Sequence, residues 1–195
     1  AVLLEGASLE TEASPPTIRF LQFSPPAVLV GAYQSVANEV RVDYCRDHGI
    51  ETNRRITGGG TIFFDESQLG WEIIAPFETL GWPTRPSEEL FVKLSTPTVS
   101  ALRELGLDAA YRPRNDIEVE GRKISGTGGT DLSGALFFQG TLLIDFDVET
   151  MVRALRVPVE KLRRQEIEGM QDRVTWLTRE LDPTPSLDDL KALLV

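Results

Sequence analysis

The sequence has few of the residues on which metal sites and disulfide scaffolds depend. Its 195 residues include one cysteine, Cys45, and one histidine, His48. A single cysteine cannot form an internal disulfide, and a single histidine cannot build a histidine-rich zinc site. We therefore expect any catalysis by this chain to use other groups.

Long apolar runs and an excess of positive charge are also missing. No stretch approaches the roughly 18 consecutive apolar residues of a membrane-spanning helix, and the N-terminus lacks the basic flank and apolar core of a secretory signal. Lys and Arg number 20 against 30 Asp and Glu, which gives a net charge of −10. Because nucleic acids and anionic membranes attract positive surfaces, neither is expected as a partner. These properties predict a soluble, cytoplasmic protein.

The length and composition suit one folded domain. With 41% hydrophobic and 26% charged residues, the chain is long enough to bury one full core. No internal repeat or flexible linker divides it. We therefore predict a single domain over residues 1–195.

The spacing of apolar residues predicts both strands and helices. Alternating or continuous apolar runs indicate strands at residues 17–23, 27–33, 51–57, 61–65, 68–76, 117–119, 122–126 and 136–146. Helical spacing indicates helices at residues 1–11, 35–49 and 86–105 and in most of 148–195, with a break near 182–185. A loose loop is expected at residues 128–134. The predicted fold class is α+β, with helices packed on a mixed, largely antiparallel sheet.

Three consecutive glycines, Gly58, Gly59 and Gly60, lie between two predicted strands. Because they carry no side chains, a ligand can lie against their backbone, and their N–H groups are free to point at an anion. The spacing of a phosphate-binding P-loop is absent. Neighbouring side chains of a strand point to opposite faces, so only one of Arg54 and Arg55 can share the face of the glycine loop. The periodicity does not settle which one does.

A second polar cluster lies on a predicted hairpin. Asn115 and Asp116 immediately precede one strand, and the partner strand carries Lys123. The pairing can bring a carboxylate that holds Mg²⁺ on nucleotide phosphates close to a cation that stabilises charge on an acyl carboxylate and an α-phosphate. This arrangement suits activation of a carboxylate by ATP. An Asn-Asp turn beside a surface lysine is the alternative interpretation.

Three segments, RRITGGGTIFFD, PRNDIEVEGRKISGTGG and FQGTLLIDFD, resemble in this order the signature blocks of the lipoate-protein ligase A family. The resemblance extends over residues 18–190. It implies a class II aminoacyl-tRNA-synthetase-like fold shared with biotin ligases. It also implies a two-step reaction, in which lipoate and ATP form lipoyl-adenylate and the acyl group then passes to a lysine of a lipoyl domain.

The resemblance further implies roles for individual residues. Lys123 corresponds to the family's invariant lysine and would act as the catalytic residue at the acyl carbonyl and the phosphate. Asn115 and Asp116 would bind the nucleotide phosphates, with Asp116 as a ligand of Mg²⁺. The acyl-binding residues would be Arg55, Gly58, Gly59, Gly60, Ser125, Gly126, Gly140 and Thr141.

This sequence departs from the family pattern in two respects. Phe64 and Gln139 stand where many ligases have histidine, so the polar contacts of the pocket differ. Single-chain ligases also carry a C-terminal accessory domain, which we expect to be absent here. Some members supply it as a separate protein, so a small accessory subunit is a candidate partner, besides a lipoyl-domain acceptor of the 2-oxoacid dehydrogenase E2 or glycine cleavage H protein type.

Two other functions compete with an ATP-dependent ligase. The first is a cofactor-independent transferase that moves octanoyl or lipoyl groups between carrier proteins. Related octanoyltransferases use a cysteine thioester, but Cys45 lies on an early predicted helix, and Ala109 and Ala110 occupy the region where one transferase group would place its cysteine. The second is a non-catalytic lipoate-binding large subunit that needs a small partner.

Overall fold

The computed structural model describes residues 15–82, 86–132, 134–156 and 169–195. The helix predicted at residues 1–11 lies outside them. The strands are β1 (Thr17–Leu21), β2 (Ala27–Val30), β3 (Glu51–Arg54), β4 (Ile62–Phe64), β5 (Gln68–Pro76), β6 (Ala109–Arg112), β7 (Asp116–Val119), β8 (Arg122–Leu132) and β9 (Ala135–Leu143). The helices are α1 (Val36–Glu39), α2 (Val42–Asp47), α3 (Glu88–Glu104), α4 (Val148–Ala154), α5 (Leu177–Glu180) and α6 (Leu187–Leu193).

Six strands form the main sheet, in the order β1-β5-β9-β8-β7-β6. Every neighbouring pair is antiparallel. The prediction of an α+β fold with a largely antiparallel sheet is therefore confirmed. One face of this sheet packs against α3, and the opposite face carries the candidate active site.

Helix α3 begins at a side-chain cap and covers the centre of the sheet. The Ser87 hydroxyl accepts a hydrogen bond from the Leu90 N–H, which satisfies one of the free donors of the first turn. Leu90 then packs in a cluster with Trp71 and Phe138. The rings of Phe91 and Phe138 meet edge to face, with centroids 4.9 Å apart. This apolar contact closes one face of the sheet to solvent.

A smaller sheet has the order β3-β2-β4, with β2 parallel to β3 and antiparallel to β4. Its core combines Val28, Val30, Cys45, Phe63 and Ala154. Because β2 and β3 run in the same direction, the loops that follow them leave from the same edge of the sheet. The second of these loops contains the three glycines.

The helix predicted at residues 35–49 is two short helices, α1 and α2. The chain breaks between them because Val40 is fully buried and forms an isolated antiparallel bridge with Leu155. The Arg41 N–H donates to the Ala154 carbonyl at 2.8 Å. Tertiary pairing with the end of α4 therefore overrides the helical spacing.

The prediction of a loop at residues 128–134 is wrong for residues 128–132, since β8 continues to Leu132. Gly129 pairs with Phe138 inside the sheet. A Cβ on Gly129 would lie 3.2 Å from the Phe138 ring and 3.3 Å from that of Phe91. The glycine thus allows two rings to approach the strand, a use of glycine that the sequence pattern does not distinguish from a turn.

Two other differences concern short elements. Strand β6 was not predicted, although it pairs along its whole length with β7. The described part of the tail contains the short helices α4, α5 and α6 instead of a mostly helical segment, and α6 begins at Ser186 with a reciprocal capping box to Asp189. Among the described ranges of the chain, no helix is both long and apolar enough to cross a bilayer.

Candidate active site

A row of five residues crosses the main sheet on the face turned away from α3. Leu21, Gly70, Thr141, Gly126 and Asp116 lie directly opposite one another on β1, β5, β9, β8 and β7. Residues directly opposite in antiparallel strands share a face of the sheet. The row therefore links one half of this face with the hairpin that carries the predicted acid-activating residues.

A cavity of about 500 Å³ opens at the β1 end of this row. Its size falls within the range of small-molecule sites. Its apolar wall consists of Leu21, Phe23, Leu29, Ile56, Ile62, Phe64, Ile74 and Phe137. Its polar groups are Arg19, Asn53, Arg54, Arg55, Glu72, Gln139 and Thr141. An apolar wall with a few polar groups suits an acyl chain.

A β-bulge brings Lys123 onto the same face as the cavity. Ile117 pairs with Ser125 while the next residue, Glu118, pairs with Lys123, so Ile124 is the extra residue of β8. A bulge shifts the alternation of side chains by one position. Lys123 therefore shares a face with Gly126, three residues away, which regular alternation would place on the opposite face.

On this face, Lys123 forms an ion pair with Asp116. Lys123 Nζ lies 2.6 Å from Asp116 Oδ1, and the two side chains are 40% and 25% exposed. Asp116 is directly opposite Gly126, which pairs on its other side with the cavity-lining Thr141. The ion pair thus joins β8 and β7, the two strands beyond the cavity-lining β9, and both of its side chains are partly exposed.

Asn115 fastens the start of β7 to β8. Its carbonyl accepts hydrogen bonds from the Thr127 N–H at 2.7 Å and the Thr127 hydroxyl at 3.0 Å. Its side-chain Nδ2 donates to the Thr127 carbonyl at 3.0 Å. Asn115 therefore has a structural contribution beside its predicted role at the phosphates, because it holds the neighbouring Asp116 in register.

Arg55 is the arginine that contacts the glycine loop. Its Nη2 donates to the carbonyls of Gly58 at 3.0 Å and Gly60 at 2.6 Å, and its Nη1 donates to the Leu29 carbonyl at 2.9 Å. Burial lowers the pKa of the Arg55 guanidinium. The neighbouring Arg54 instead donates to carbonyls of the loop after β2. The two arginines hold one loop each.

A buried threonine joins the two sheets at the rim of the cavity. The Thr57 hydroxyl oxygen accepts hydrogen bonds from Arg55 Nε at 3.1 Å and Gln139 Nε2 at 3.0 Å. Thr57 is 1% exposed, so these donors satisfy it where water does not reach. Gln139 thus retains a polar function at a position where many ligases have histidine, while Phe64 adds to the apolar wall.

The predicted acyl-binding residues divide into separate places. Arg55, Gly140 and Thr141 line the cavity. Gly58, Gly59 and Gly60 are not among the residues that line it, and the carbonyls of Gly58 and Gly60 accept hydrogen bonds from Arg55. Gly126 lies under Lys123. Ser125 is fully buried on the α3 side of the sheet, so its side chain faces the core.

Sequence reasoning missed an ion pair in the cavity wall. Arg19 and Glu72 lie opposite each other on β1 and β5, and Arg19 Nε donates to Glu72 Oε2 at 2.7 Å. Glu72 is 8% exposed. Glu72 is the one charged residue of strand β5, and this was the available signal, because buried charges are rare unless they are paired.

Cys45 lies apart from these groups in the core of the smaller sheet. It is 1% exposed, and burial raises the pKa of its thiol, so the reactive thiolate is disfavoured. Ala110, on β6, is opposite Glu118, which is in turn opposite Lys123. The β6 position in line with Lys123 therefore carries a methyl group rather than a thiol.

An apolar cavity and a lysine–carboxylate pair thus share one face of the largely antiparallel sheet in this α+β domain. The chain belongs to the lipoyl protein ligase A/B catalytic domain family, whose model matches residues 3–195.

Individual proteins agree with this membership. The chain is 30% identical over 182 residues to lipoate-protein ligase LplJ of Bacillus subtilis, covering 92% of this chain and 53% of the relative. It is also 31% identical over 166 residues to octanoyltransferase LipM of Symbiobacterium thermophilum, covering 74% of this chain and 59% of the relative. The chain thus spans about half the length of the curated ligases that it matches.

A solved structure shares the fold over nearly the whole chain. The bipartite lipoate protein ligase of Thermoplasma acidophilum, studied with its E2 lipoyl domain, superposes with a TM-score of 0.81 at 26% identity. The match covers 98% of this chain and 73% of that one. The expected ligase fold is therefore confirmed.

Proposed function

We propose that this chain is an ATP-dependent lipoate-protein ligase that converts lipoate to lipoyl-adenylate and transfers the lipoyl group to a lysine of a lipoyl domain. The observation that carries the proposal is the Lys123–Asp116 ion pair, which stands on the same sheet face as the apolar cavity. The cavity would take the acyl tail, and Lys123 would meet the carboxylate at its end.

The chemistry of adenylation suits this arrangement. A carboxylate must approach a phosphate that also carries negative charge, so the protein's main tasks are to hold the two reactants and to stabilise the charge between them. The Lys123 ammonium would contact the acyl oxygen and the α-phosphate. No nucleophilic side chain is needed, which agrees with the buried position of Cys45.

Mg²⁺ is the metal that this site would use. In the described ranges no three His, Cys, Asp or Glu side chains form a metal-binding group. A nucleotide-bound Mg²⁺ fits this donor set, because it retains waters, takes ligands from the phosphates and needs only one or two protein carboxylates. Asp116 would be that carboxylate, with Asn115 beside it at the phosphates. Bound there, the ion would neutralise phosphate charge.

The archaeal neighbour supports the expected partners. It is bipartite and was studied with an E2 lipoyl domain. We infer by analogy that this chain uses a lipoyl-domain acceptor and a small accessory subunit, or an equivalent segment of the same gene product. The cytoplasm is the compartment that we propose for this reaction.

Intact mass of a lipoyl domain tests the function directly. The purified chain, with and without a candidate accessory subunit, is incubated with lipoate, ATP, Mg²⁺ and an apo-lipoyl domain. We expect a lipoyl mass increment that requires ATP and is lost with Lys123→Ala. Undiminished modification by Lys123→Ala would overturn the role of the lysine.

Acyl transfer without ATP is the second candidate, and the similarity to LipM octanoyltransferases favours it. It predicts octanoylation of the lipoyl domain from an octanoyl carrier protein in the absence of ATP. That result would overturn the ligase proposal.

A non-catalytic lipoate-binding large subunit is the third candidate, and the bipartite composition of the archaeal ligase favours it. It predicts no lipoate-dependent exchange of pyrophosphate into ATP, even after a small subunit is added. A ligase would show this exchange.

A further inference from the structure

The segment 173–175 continues the main sheet beside Lys123. The Lys123 N–H donates to the Arg173 carbonyl at 2.9 Å, and the Thr175 N–H donates to the Lys123 carbonyl at 2.8 Å. Val174 accordingly forms a parallel bridge with Lys123. Strand β9 pairs with β8 only from Ser125 onward, so this segment takes the place of β9 at the lysine.

The carboxylate of Glu180 fastens that segment to β8. Glu180 Oε1 lies 3.0 Å from Arg122 Nη2, and it accepts a hydrogen bond from the Thr175 hydroxyl. Arg122 directly precedes Lys123, and Thr175 is the residue that binds the Lys123 carbonyl. One carboxylate therefore joins the two chain segments that hold the lysine backbone.

This contact is shielded and rigidly supported. Thr175 is fully buried, and the side chains of Arg122 and Glu180 are 24% and 13% exposed. Glu180 is delivered by α5, whose Thr178 N–H donates to the Ile144 carbonyl at 2.9 Å and whose Leu177 is fully buried. Solvent and salt screen such a shielded ion pair less than they screen an exposed one.

The lysine needs such support because of the bulge. Ile124 interrupts the regular pairing of β8 with β7 next to Lys123, and bulges bend and twist the strand that carries them. A misplacement of a reacting group by about 1 Å can cost a hundredfold in rate.

We propose that Glu180 is a positioning residue for Lys123. Its contacts with Arg122 and Thr175 hold segment 173–175 against β8. They thereby fix the Lys123 backbone, from which the Lys123 ammonium extends to Asp116 and would contact the substrate. Glu180 itself contacts neither reactant. The effect on catalysis rests on the ligase function proposed above, whereas the effect on the Lys123 backbone does not.

Hydrogen exchange at the Lys123 and Thr175 amides, measured by NMR on the full chain, tests the positioning without any assay of activity. Glu180→Ala removes both contacts, and we expect exchange at these two amides to be about tenfold faster, as for loss of a stabilising contact worth one hydrogen bond. Glu120→Ala is the matched control, because Glu120 also pairs with Arg122, at 3.3 Å, but is 67% exposed. Unchanged exchange in Glu180→Ala, or equal acceleration in the control, would overturn the proposal.

Kinetics of adenylate formation provide the second measurement. For Glu180→Gln, which keeps the size of the side chain, we expect kcat to fall about tenfold while KM for lipoate and ATP changes less than about threefold, since binding groups stay in place. A rise in KM with unchanged kcat would contradict positioning. If the wild-type chain forms no adenylate even with the accessory subunit added, the ligase proposal fails, and the exchange measurement alone decides the role of Glu180.

Discussion

The ammonium of Lys123 occupies the space that Gly126 leaves open above the sheet. A Cβ on Gly126 would lie 3.0 Å from Lys123 Nζ and 3.1 Å from its Cε, closer than side-chain carbons normally approach. The glycine is thus what allows the lysine to fold back over its own strand and reach Asp116.

Gly126→Ala should therefore displace the lysine and slow acyl activation. We expect kcat for adenylate formation to fall at least about tenfold, because the charge is moved from its position at the reacting atoms. Gly128→Ala is the control, since Gly128 lies on the same strand and face and its nearest neighbour would be 3.9 Å from the new Cβ. Equal losses in the two variants would show that the Gly126–Lys123 contact is unimportant.

Gly140→Ala should destabilise the whole domain. The new Cβ would lie 2.2 Å from Trp71 Cζ2, so the indole or the strand must move, at a cost of about 1–3 kcal/mol or more. Gly60→Ala meets nothing within 4 Å and should change the free energy of unfolding by less than about 0.5 kcal/mol. Urea denaturation followed by tryptophan fluorescence compares them, and similar midpoints would contradict the packing role of Gly140.

Arg55→Lys should loosen the glycine loop although it preserves the charge. An ammonium cannot reproduce the planar fork that reaches Leu29, Gly58 and Gly60 together. We expect a loss of about 1–3 kcal/mol in unfolding free energy and faster protease cleavage within residues 57–61. Arg46→Lys, at an exposed surface pair, should be neutral in both assays. If Arg55→Lys resists protease as well as the wild type does, the hydrogen bonds of Arg55 do not hold the glycine loop in place.

Cys45→Ala should retain acyl transfer. Because burial raises the pKa of the Cys45 thiol, the thiol stays protonated at neutral pH and should react with a thiol reagent only after unfolding. Removal of the sulfur from the core should cost about 1 kcal/mol of stability, measured by urea denaturation. Loss of transfer by a folded Cys45→Ala variant would indicate covalent catalysis instead.

The sequence was most informative where strands are strongly apolar and where polar residues cluster along the chain. Strand β5 has the predicted bounds, 68–76, because both of its faces are largely buried. The hairpin with Asp116 and Lys123 was also predicted, since its two strands are neighbours in sequence and a tight Glu120-Gly121 turn joins them.

What sequence reasoning missed depends on pairing between distant segments. The cavity is lined by β1, β5 and β9 of the main sheet and by all three strands of the smaller sheet, and no local pattern gives the register of these strands. The bulge at Ile124 reverses the side-chain alternation without any glycine or proline to indicate it. Glu72 gains a partner in Arg19, 53 residues earlier. Each of these features depends on hydrogen bonds between segments that are distant in sequence, and local secondary-structure propensity does not predict such bonds.

The row from Leu21 to Asp116 has a consequence for substrate length. An acid with its tail in the cavity and its carboxylate at Lys123 must lie across the strands rather than along them. The distance from its tail to its carboxylate is then set by the spacing between neighbouring strands, about 4.8 Å. Side-chain substitutions can reshape the end of the cavity. The span to the lysine is set by the backbone hydrogen bonds between β9, β8 and β7, and such substitutions leave those unchanged.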